Sequence, residues 1–339
     1  MKVAVLMSGG VDSTITAHLL KEQGYELMGL TMINWDDSIG EKAARAAKEL
    51  GIEHRIVDLR DAFNEKVIEP FCKSYESAKT PNPCVACNNY IKFGILLEQA
   101  LQSGCEKIAT GHFVQVEYDA LRDRYLLKKG IDLKKDQSYF LYGLTQQQLA
   151  RVIFPLGNWT KEEVKDFAMS KGIVKEELKE SQEICFIAND YREFILPRVK
   201  ARKGEFIDQE EKVLGMHKGV PFYTIGQRKG LGISGGRPLY VLDMDIHNNT
   251  VLLGDNEELF KDTLFANDIN YILESQINEP IRVQAKIRYA AKPTWATVTP
   301  FEQGKLKVVF DEPQRAITPG QAVVFYQNDY VLGGATIFK

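Results

Sequence analysis

The chain has 339 residues, 44% of them hydrophobic, 26% charged and 10% aromatic, which excludes a disordered, collagenous or disulfide-scaffold polypeptide and suits two or three domains. Forty-three cationic residues against 46 anionic ones leave a net charge of −3, which excludes a uniformly basic nucleic-acid coat but not local patches. No apolar run approaches the ~18 residues that span a bilayer, and the opening Met1–Gly10 lacks the apolar region and cleavage site of a signal peptide, so a cytoplasmic chain with no membrane contact is expected. In chain order, Lys2–Met7 reads as a buried strand and Asp12–Gln23 as a helix with Ala17, Leu19 and Leu20 inward. Glu26–Ile33 follows as a second strand. Glu41–Leu50 is an Ala-rich helix stopped at Gly51, and Glu53–Asp58 a third strand. Asp61–Tyr75 and Tyr90–Ser103 read as helices around a Pro-rich loop, and Lys107–Thr110 as a short strand. This alternation predicts an α/β fold with a parallel sheet covered on both faces. Val116–Leu127 reads as a hairpin, and Thr160–Glu163 as a capping box opening a helix that buries Val164, Phe167 and Ala168.

The pattern changes near residue 195. Segment 197–238 holds nine Lys and Arg residues against four Asp and Glu, so it is locally basic while the remainder is acidic. Segment 122–137 is also basic, with six against three. Beyond residue 260 the period becomes two: Val283, Ala285, Ile287 and Tyr289 alternate with polar neighbours, as do Leu306, Val308 and Phe310. Short strands separated by turn signals predict a small antiparallel barrel. The expected division is residues 1–195, a small mainly-β middle domain over 196–257, and a β-barrel over 258–339.

Ser8-Gly9-Gly10-Val11-Asp12-Ser13 lies between a strand and a helix. Paired glycines let the backbone approach a ligand closely, and a helix N-terminus offers free N–H donors to an anion. Ser8 and Ser13 add hydroxyls, and Asp12 is placed to hold a magnesium ion beside phosphates. The bland reading is a Gly-Gly turn with a capping residue. Gly230–Gly235 also matches G-x-G-x-x-G, but Gln227-Arg228-Lys229 precedes it and Pro238 follows, so it lacks the strand–loop–helix setting of a dinucleotide fold and reads as a basic loop.

The cysteines are Cys72, Cys84, Cys87, Cys105 and Cys185. An odd number in a large chain without export signals argues for buried thiols, metal ligands or catalysis rather than a disulfide framework. Cys72 and Cys105 read as packing residues. Cys84 and Cys87 form a Cys-x-x-Cys in Thr80–Asn88, whose two prolines and two asparagines predict a stiff, non-helical loop. With Cys185 they suit thiol chemistry through persulfide and disulfide states, or a three-cysteine [4Fe–4S] cluster; a closed zinc site lacks its fourth ligand.

The loop at residues 8–13 resembles that of the N-type ATP-pyrophosphatases, which split ATP to AMP and pyrophosphate while adenylating an oxygen. With TPNPCVAC (80–87), ATGH (109–112), KDQSYFL (135–141), SQEICFI (181–187), YTIGQRKGLG (223–232) and TPGQ (318–321), the whole chain resembles the bacterial tRNA-specific 2-thiouridylases. The resemblance implies a HUP or Rossmann-like catalytic domain. ATP would lie on Leu6, Met7, Ser8, Gly9, Gly10, Val11, Asp12 and Ser13, beside Met32 and Gly111, with Mg2+. Cys87 would be the nucleophile and Cys185 the persulfide carrier, the two forming a disulfide in turnover. Asn82, Pro83 and Cys84 would meet the target base; His112, Lys135, Asp136, Gln137, Arg288, Tyr289 and Gln321 would touch tRNA. The basic strip adds Arg228 and Lys229. Some members carry an aspartate where this chain has Cys84, so carboxylate chemistry assigned there cannot operate here, whereas a Cys84 thiolate could ligate iron. The implied activity is ATP-dependent 2-thiolation of the wobble uridine in tRNAs for Lys, Glu and Gln. Adenylation would convert uridine O2 into a leaving group, and sulfur would come from a cysteine desulfurase or sulfur-relay protein. The alternative is another ATP-pyrophosphatase that adenylates a small-molecule carbonyl or carboxylate.

Overall fold

A computed structural model describes residues 1–36, 38–173, 184–187, 190–233 and 236–339. Five strands form a fully parallel sheet: β1 (Lys2–Leu6), β2 (Glu26–Ile33), β3 (Glu53–Asp58), β4 (Lys107–Ala109) and β7 (Val152–Ile153), in the order β3-β2-β1-β4-β7. Alternation along β1 explains the two covered faces. Val3, Val5 and Met7 pack with α1 (Val11–Glu22) and α2 (Ser38–Leu50), while Ala4 faces the other layer with Met28 and Leu30 of β2. That second layer contains two long helical runs, residues 60–76 and 83–102, each with an internal stretch of wider π-type turns. The order reverses at β1, where β2 lies on one side and β4 on the other. Open α/β sheets bind ligands at the strand C-terminal ends beside such a reversal.

The Pro-rich stretch departs from the expected loop. A helix begins at Pro83 and runs through both Cys84 and Cys87. Asn82 is its N-cap, accepting the Val85 N–H at 3.4 Å, and Pro83 occupies the first turn, where a missing N–H costs nothing. Proline here starts a helix instead of preventing one. The two thiols therefore sit three residues apart on one helical face.

The hairpin β5 (Val114–Asp119) and β6 (Arg124–Lys129) forms as expected but belongs to another sheet: Lys128 of β6 pairs with Tyr330 of β17 (Tyr330–Ile337). That sheet closes through β12 (Phe260–Tyr271), β15 (Leu306–Arg315), β14 (Thr294–Pro300), β13 (Ile281–Lys286), β16 (Ala322–Gln327) and β17, with β17 returning to β12 as a six-stranded barrel. Its interior carries the period-two residues Val283, Ala285, Val298, Leu306, Val308 and Phe310. Tyr289 leaves the expected alternation. The strand ends at Lys286, and Tyr289 turns outward, 38% exposed, against the Phe140 ring at 4.6 Å. Between catalytic layer and barrel, β8 (Gly204–Ile207), β9 (Val213–His217), β10 (Tyr240–Asp245) and β11 (Thr250–Gly254) make a small sheet ordered β10-β11-β8-β9. Ser181, Gln182 and Glu183 of one motif, and Ser234 and Gly235 of the glycine decoy, lie outside the described residues. Residues 230–233 are neither strand nor helix. Among the described residues no helix is long and apolar enough to cross a membrane.

Candidate active site

The turn after β1 is built from its own side chains. Ser13 Oγ donates to the Gly10 carbonyl at 3.0 Å and accepts the Ser8 N–H at 3.2 Å, with the two serine hydroxyls 3.2 Å apart. Gly9 has a φ of +69°, and a Cβ there would lie 2.5 Å from Lys42 Cβ on α2, so neither the turn nor the packing admits a side chain. Gly10 is the extended N-cap of α1, whose first N–H groups point out of the sheet edge. Gly111, after β4, lets that segment approach the first turn of α1: a Cβ would fall 3.0 Å from Asp12 backbone carbon. Met32 lies near the end of β2 on the same edge. The Ser8–Ser13 turn, Gly111 after β4 and Met32 near the end of β2 thus all lie at the C-terminal edge of the sheet.

Lys161 was not foreseen there. It opens the helix Lys161–Ser170, held by the Thr160 capping box and by Asp132, which accepts the Lys161 N–H at 3.0 Å. Its ammonium reaches Asp12 Oδ1 at 2.5 Å, with the lysine side chain only 15% exposed. The capping box in the sequence marked the helix start; only the fold carries it to the phosphate loop. A second buried chain backs the loop. Thr31 Oγ1 donates to the Met7 carbonyl at 2.8 Å and meets His54 Nε2 at 2.8 Å, so His54 donates there.

The thiols gather at the same edge. Cys87 is 7% exposed, and burial pushes its thiol up to about 12. Cys84, half-buried, is also pushed up by burial. Cys185 is the exposed one at its surface, although enough protein surrounds the thiol to raise it too. Cys185 acts on both helix thiols electrostatically, and the Lys92 ammonium opposes burial at all three. Asn34, buried just beyond β2, directs its amide at Cys185 Sγ at 3.9 Å. Phe186 anchors Cys185: its ring packs against Phe63, Phe71 and Phe194 at 5.6, 5.4 and 5.1 Å. Cys72 and Cys105 are buried in the core, as expected. His112 sits beside Lys92; burial holds it well below the usual imidazole range, and it pairs with Thr110 Oγ1 at 2.7 Å. Among the described residues no group of three or more His, Cys, Asp or Glu side chains is placed to hold a metal ion, so Cys84, Cys87 and Cys185 as arranged do not fit an iron–sulfur cluster.

Three family models tile the chain: a tRNA methyl transferase HUP domain over residues 1–189, a PRC-barrel domain over 192–255, and an aminomethyltransferase β-barrel domain over 261–337. A curated tRNA-specific 2-thiouridylase MnmA of Syntrophomonas wolfei is 55% identical over 338 residues, covering all of both chains. The chain belongs to the tRNA-specific 2-thiouridylase family. The enzyme of the same name from Clostridioides difficile is 48% identical over 100% of this chain and 98% of its own, and that from Carboxydothermus hydrogenoformans 49% over the same shares.

Residues expected to face RNA, from the family resemblance or from the basic strip, divide into two sets. Arg228 and Lys229 are exposed on the loop after Thr224-Ile225-Gly226-Gln227, and Tyr289 is open to solvent. Others have internal partners. Asp136 is buried and accepts from Gly130 N–H, Ser138 N–H and Ser138 Oγ at 3.2, 3.1 and 2.8 Å. Gln137 Oε1 accepts the Phe113 N–H at 3.0 Å. Arg288 donates to the Ala316 carbonyl and Thr318 Oγ1 at 2.6 and 2.7 Å, and Gln321 to the Thr80 and Pro81 carbonyls at 2.9 and 3.2 Å. Lys135, half-buried, lies in the same 130–137 turn.

Proposed function

We propose that this chain uses ATP to thiolate C2 of the wobble uridine in tRNA. The observation that carries the reading is a Gly-Gly turn opening α1 at the strand C-terminal edge, where Asn34 beyond β2 also meets Cys185, which in turn lies near Cys84 and Cys87. Its family relatives bear the name of that activity. An ATP-pyrophosphatase adenylating a metabolite would use the turn but has no need of the thiols.

ATP phosphates would lie on the Ser8–Ser13 turn and the N-terminus of α1, with the Lys161 ammonium at hand, and Met32 and Gly111 beside the nucleotide. Mg2+, when bound, neutralises phosphate charge; Asp12 is the residue that would hold it. The target uridine, drawn out of a single-stranded loop, would rest at the start of the Cys helix by Asn82, Pro83 and Cys84. Transfer of AMP to uridine O2 releases pyrophosphate and leaves C2 open to attack. Cys185, the exposed thiol, suits loading as a persulfide by a donor protein. The outer persulfide sulfur attacks C2 and AMP departs. The Cys87 thiolate then attacks Cys185 Sγ, breaking that S–S bond. Sulfur stays on C2 as the thiocarbonyl, and a Cys87–Cys185 disulfide forms, to be reduced by a thiol before the next turnover. Burial keeps Cys87 protonated until its proton is drawn off, with Lys92 favouring the thiolate.

The test is nucleoside mass spectrometry after incubating the chain with ATP, Mg2+, a persulfide donor and unmodified tRNA. We expect 2-thiouridine and tRNA-dependent pyrophosphate release, with 2-thiouridine lost in Cys87→Ser and Cys185→Ser. Pyrophosphate release that ignores tRNA, with no 2-thiouridine formed, would overturn the reading.

A further inference from the structure

The backbone that enters the Cys helix is short of donors. Pro81 and Pro83 have no N–H, so the carbonyls of residues 80 and 81 must find donors elsewhere. They find one on the barrel. Gln321 Nε2 donates to the Thr80 carbonyl at 2.9 Å and to the Pro81 carbonyl at 3.2 Å, across 241 and 240 residues of chain. In return the Thr80 N–H donates to the Pro319 carbonyl at 2.8 Å. Gly320, between them, has a φ of +90°, and a Cβ there would stand 2.8 Å from the Thr80 oxygen. The approach is as close as backbone allows, and only glycine permits it.

The barrel side of this clasp is itself fixed. Gly320 N–H donates to the Ile337 carbonyl at 2.8 Å, and Ile337 N–H to the Gln321 carbonyl at 2.8 Å, tying the loop to β17. Arg288 secures the other end through Ala316 and Thr318. On the catalytic side Asn82, the residue after Pro81, caps the helix by accepting the Val85 N–H at 3.4 Å. Residues 80 and 81 thus both lean on the barrel immediately before the helix carrying Cys84 and Cys87.

We infer that Gln321 is a positioning residue for the thiols. Through the Thr80 and Pro81 carbonyls it sets where the Cys helix begins, and so holds Cys87 in its closed pocket. A contact with RNA alone would leave Cys87 indifferent to Gln321 when RNA is absent. The chemical role of Cys87 enters only in the consequence for turnover; thiol closure can be read whether or not the chain makes 2-thiouridine.

The experiment alkylates the full RNA-free chain with N-ethylmaleimide and follows each cysteine by peptide mass spectrometry. Gln321→Glu is near-isosteric, but its carboxylate cannot donate; Gln321→Ala removes the group. Losing two hydrogen bonds at a local opening should speed Cys87 alkylation about tenfold or more in either variant, with Cys72 and Cys105 unchanged as internal references. Cys87 within about twofold of the parent chain in both variants overturns the inference, since local opening would then be unaffected. Acceleration of Cys72 and Cys105 in step with Cys87 overturns it too, because the whole domain would then have loosened.

Discussion

Replacing Lys161 with methionine separates two roles that one geometry allows. The ammonium touches Asp12 at 2.5 Å beside the phosphate turn, and the lysine side chain is 15% exposed while that of Asp12 is 35% exposed. Because Asp12 is about one-third exposed, water can solvate it when its partner is lost, and it keeps the favourable field of the α1 N-terminus; the pair then contributes about 0–1 kcal/mol to stability, so Lys161→Met should unfold close to the parent temperature. Nucleotide binding is a different matter. A charge-assisted hydrogen bond to phosphate is worth about 1.5–3 kcal/mol, which corresponds to roughly 10- to 150-fold in the ATP dissociation constant or KM. The assay is calorimetric titration with a non-hydrolysable ATP analogue and Mg2+, alongside steady-state pyrophosphate release. ATP affinity and pyrophosphate release within about twofold of the parent in Lys161→Met, well short of the span above, would refute the phosphate role.

Cys87 alkylation should climb steadily with pH toward 12 without the plateau of an ordinary thiol near 9.0, read as a pH–rate profile with Cys87 resolved by mass spectrometry. The stability sign follows from the same raised value. Below the unfolded pKa of 9.0 both states keep the proton and nothing changes; between 9.0 and about 12 only the unfolded thiol ionises, so this group's contribution falls as pH rises, and Cys87→Ala should flatten the alkaline decline in urea midpoints. Phe186→Ala removes a buried ring set among Phe63, Phe71 and Phe194, and should cost about 3–5 kcal/mol in chemical unfolding while speeding Cys185 alkylation. Arg228→Ala with Lys229→Ala should weaken tRNA binding and flatten its dependence on salt, measured by filter binding across ionic strengths; identical slopes would remove that loop from the RNA face.

How far the site could be read from sequence depended on the range of the forces involved. The Ser8–Ser13 turn was legible because its hydrogen bonds join residues within one short stretch, Ser8 to Ser13 and Ser13 to Gly10. The Thr160 capping box was legible for the same reason. The Pro-rich stretch was misread because proline has opposite meanings inside a helix and at its first turn, and the Asn82 cap that chooses between them is a matter of side-chain geometry. Lys161 and Gln321 gave no local signal of their partners: Lys161 meets Asp12 across 149 residues, and Gln321 meets Thr80 across 241. For Asp136 and Arg288 the family resemblance implied contact with tRNA, and only the packed structure shows the internal partners each one holds.

By itself the sequence determined the alternation of strands and helices, the Gly-Gly turn between β1 and α1, the barrel's period-two pattern and the family, since each rests on near-neighbour geometry or on residue identity in order. Tertiary structure decided which sheet the 114–129 hairpin joins, that Cys87 is buried while Cys185 is open, and that the barrel grips the entrance to the Cys helix. Those outcomes depend on burial and on hydrogen bonds between segments far apart in the chain. Residue order does not encode them until packing has excluded water and brought the donors and acceptors together.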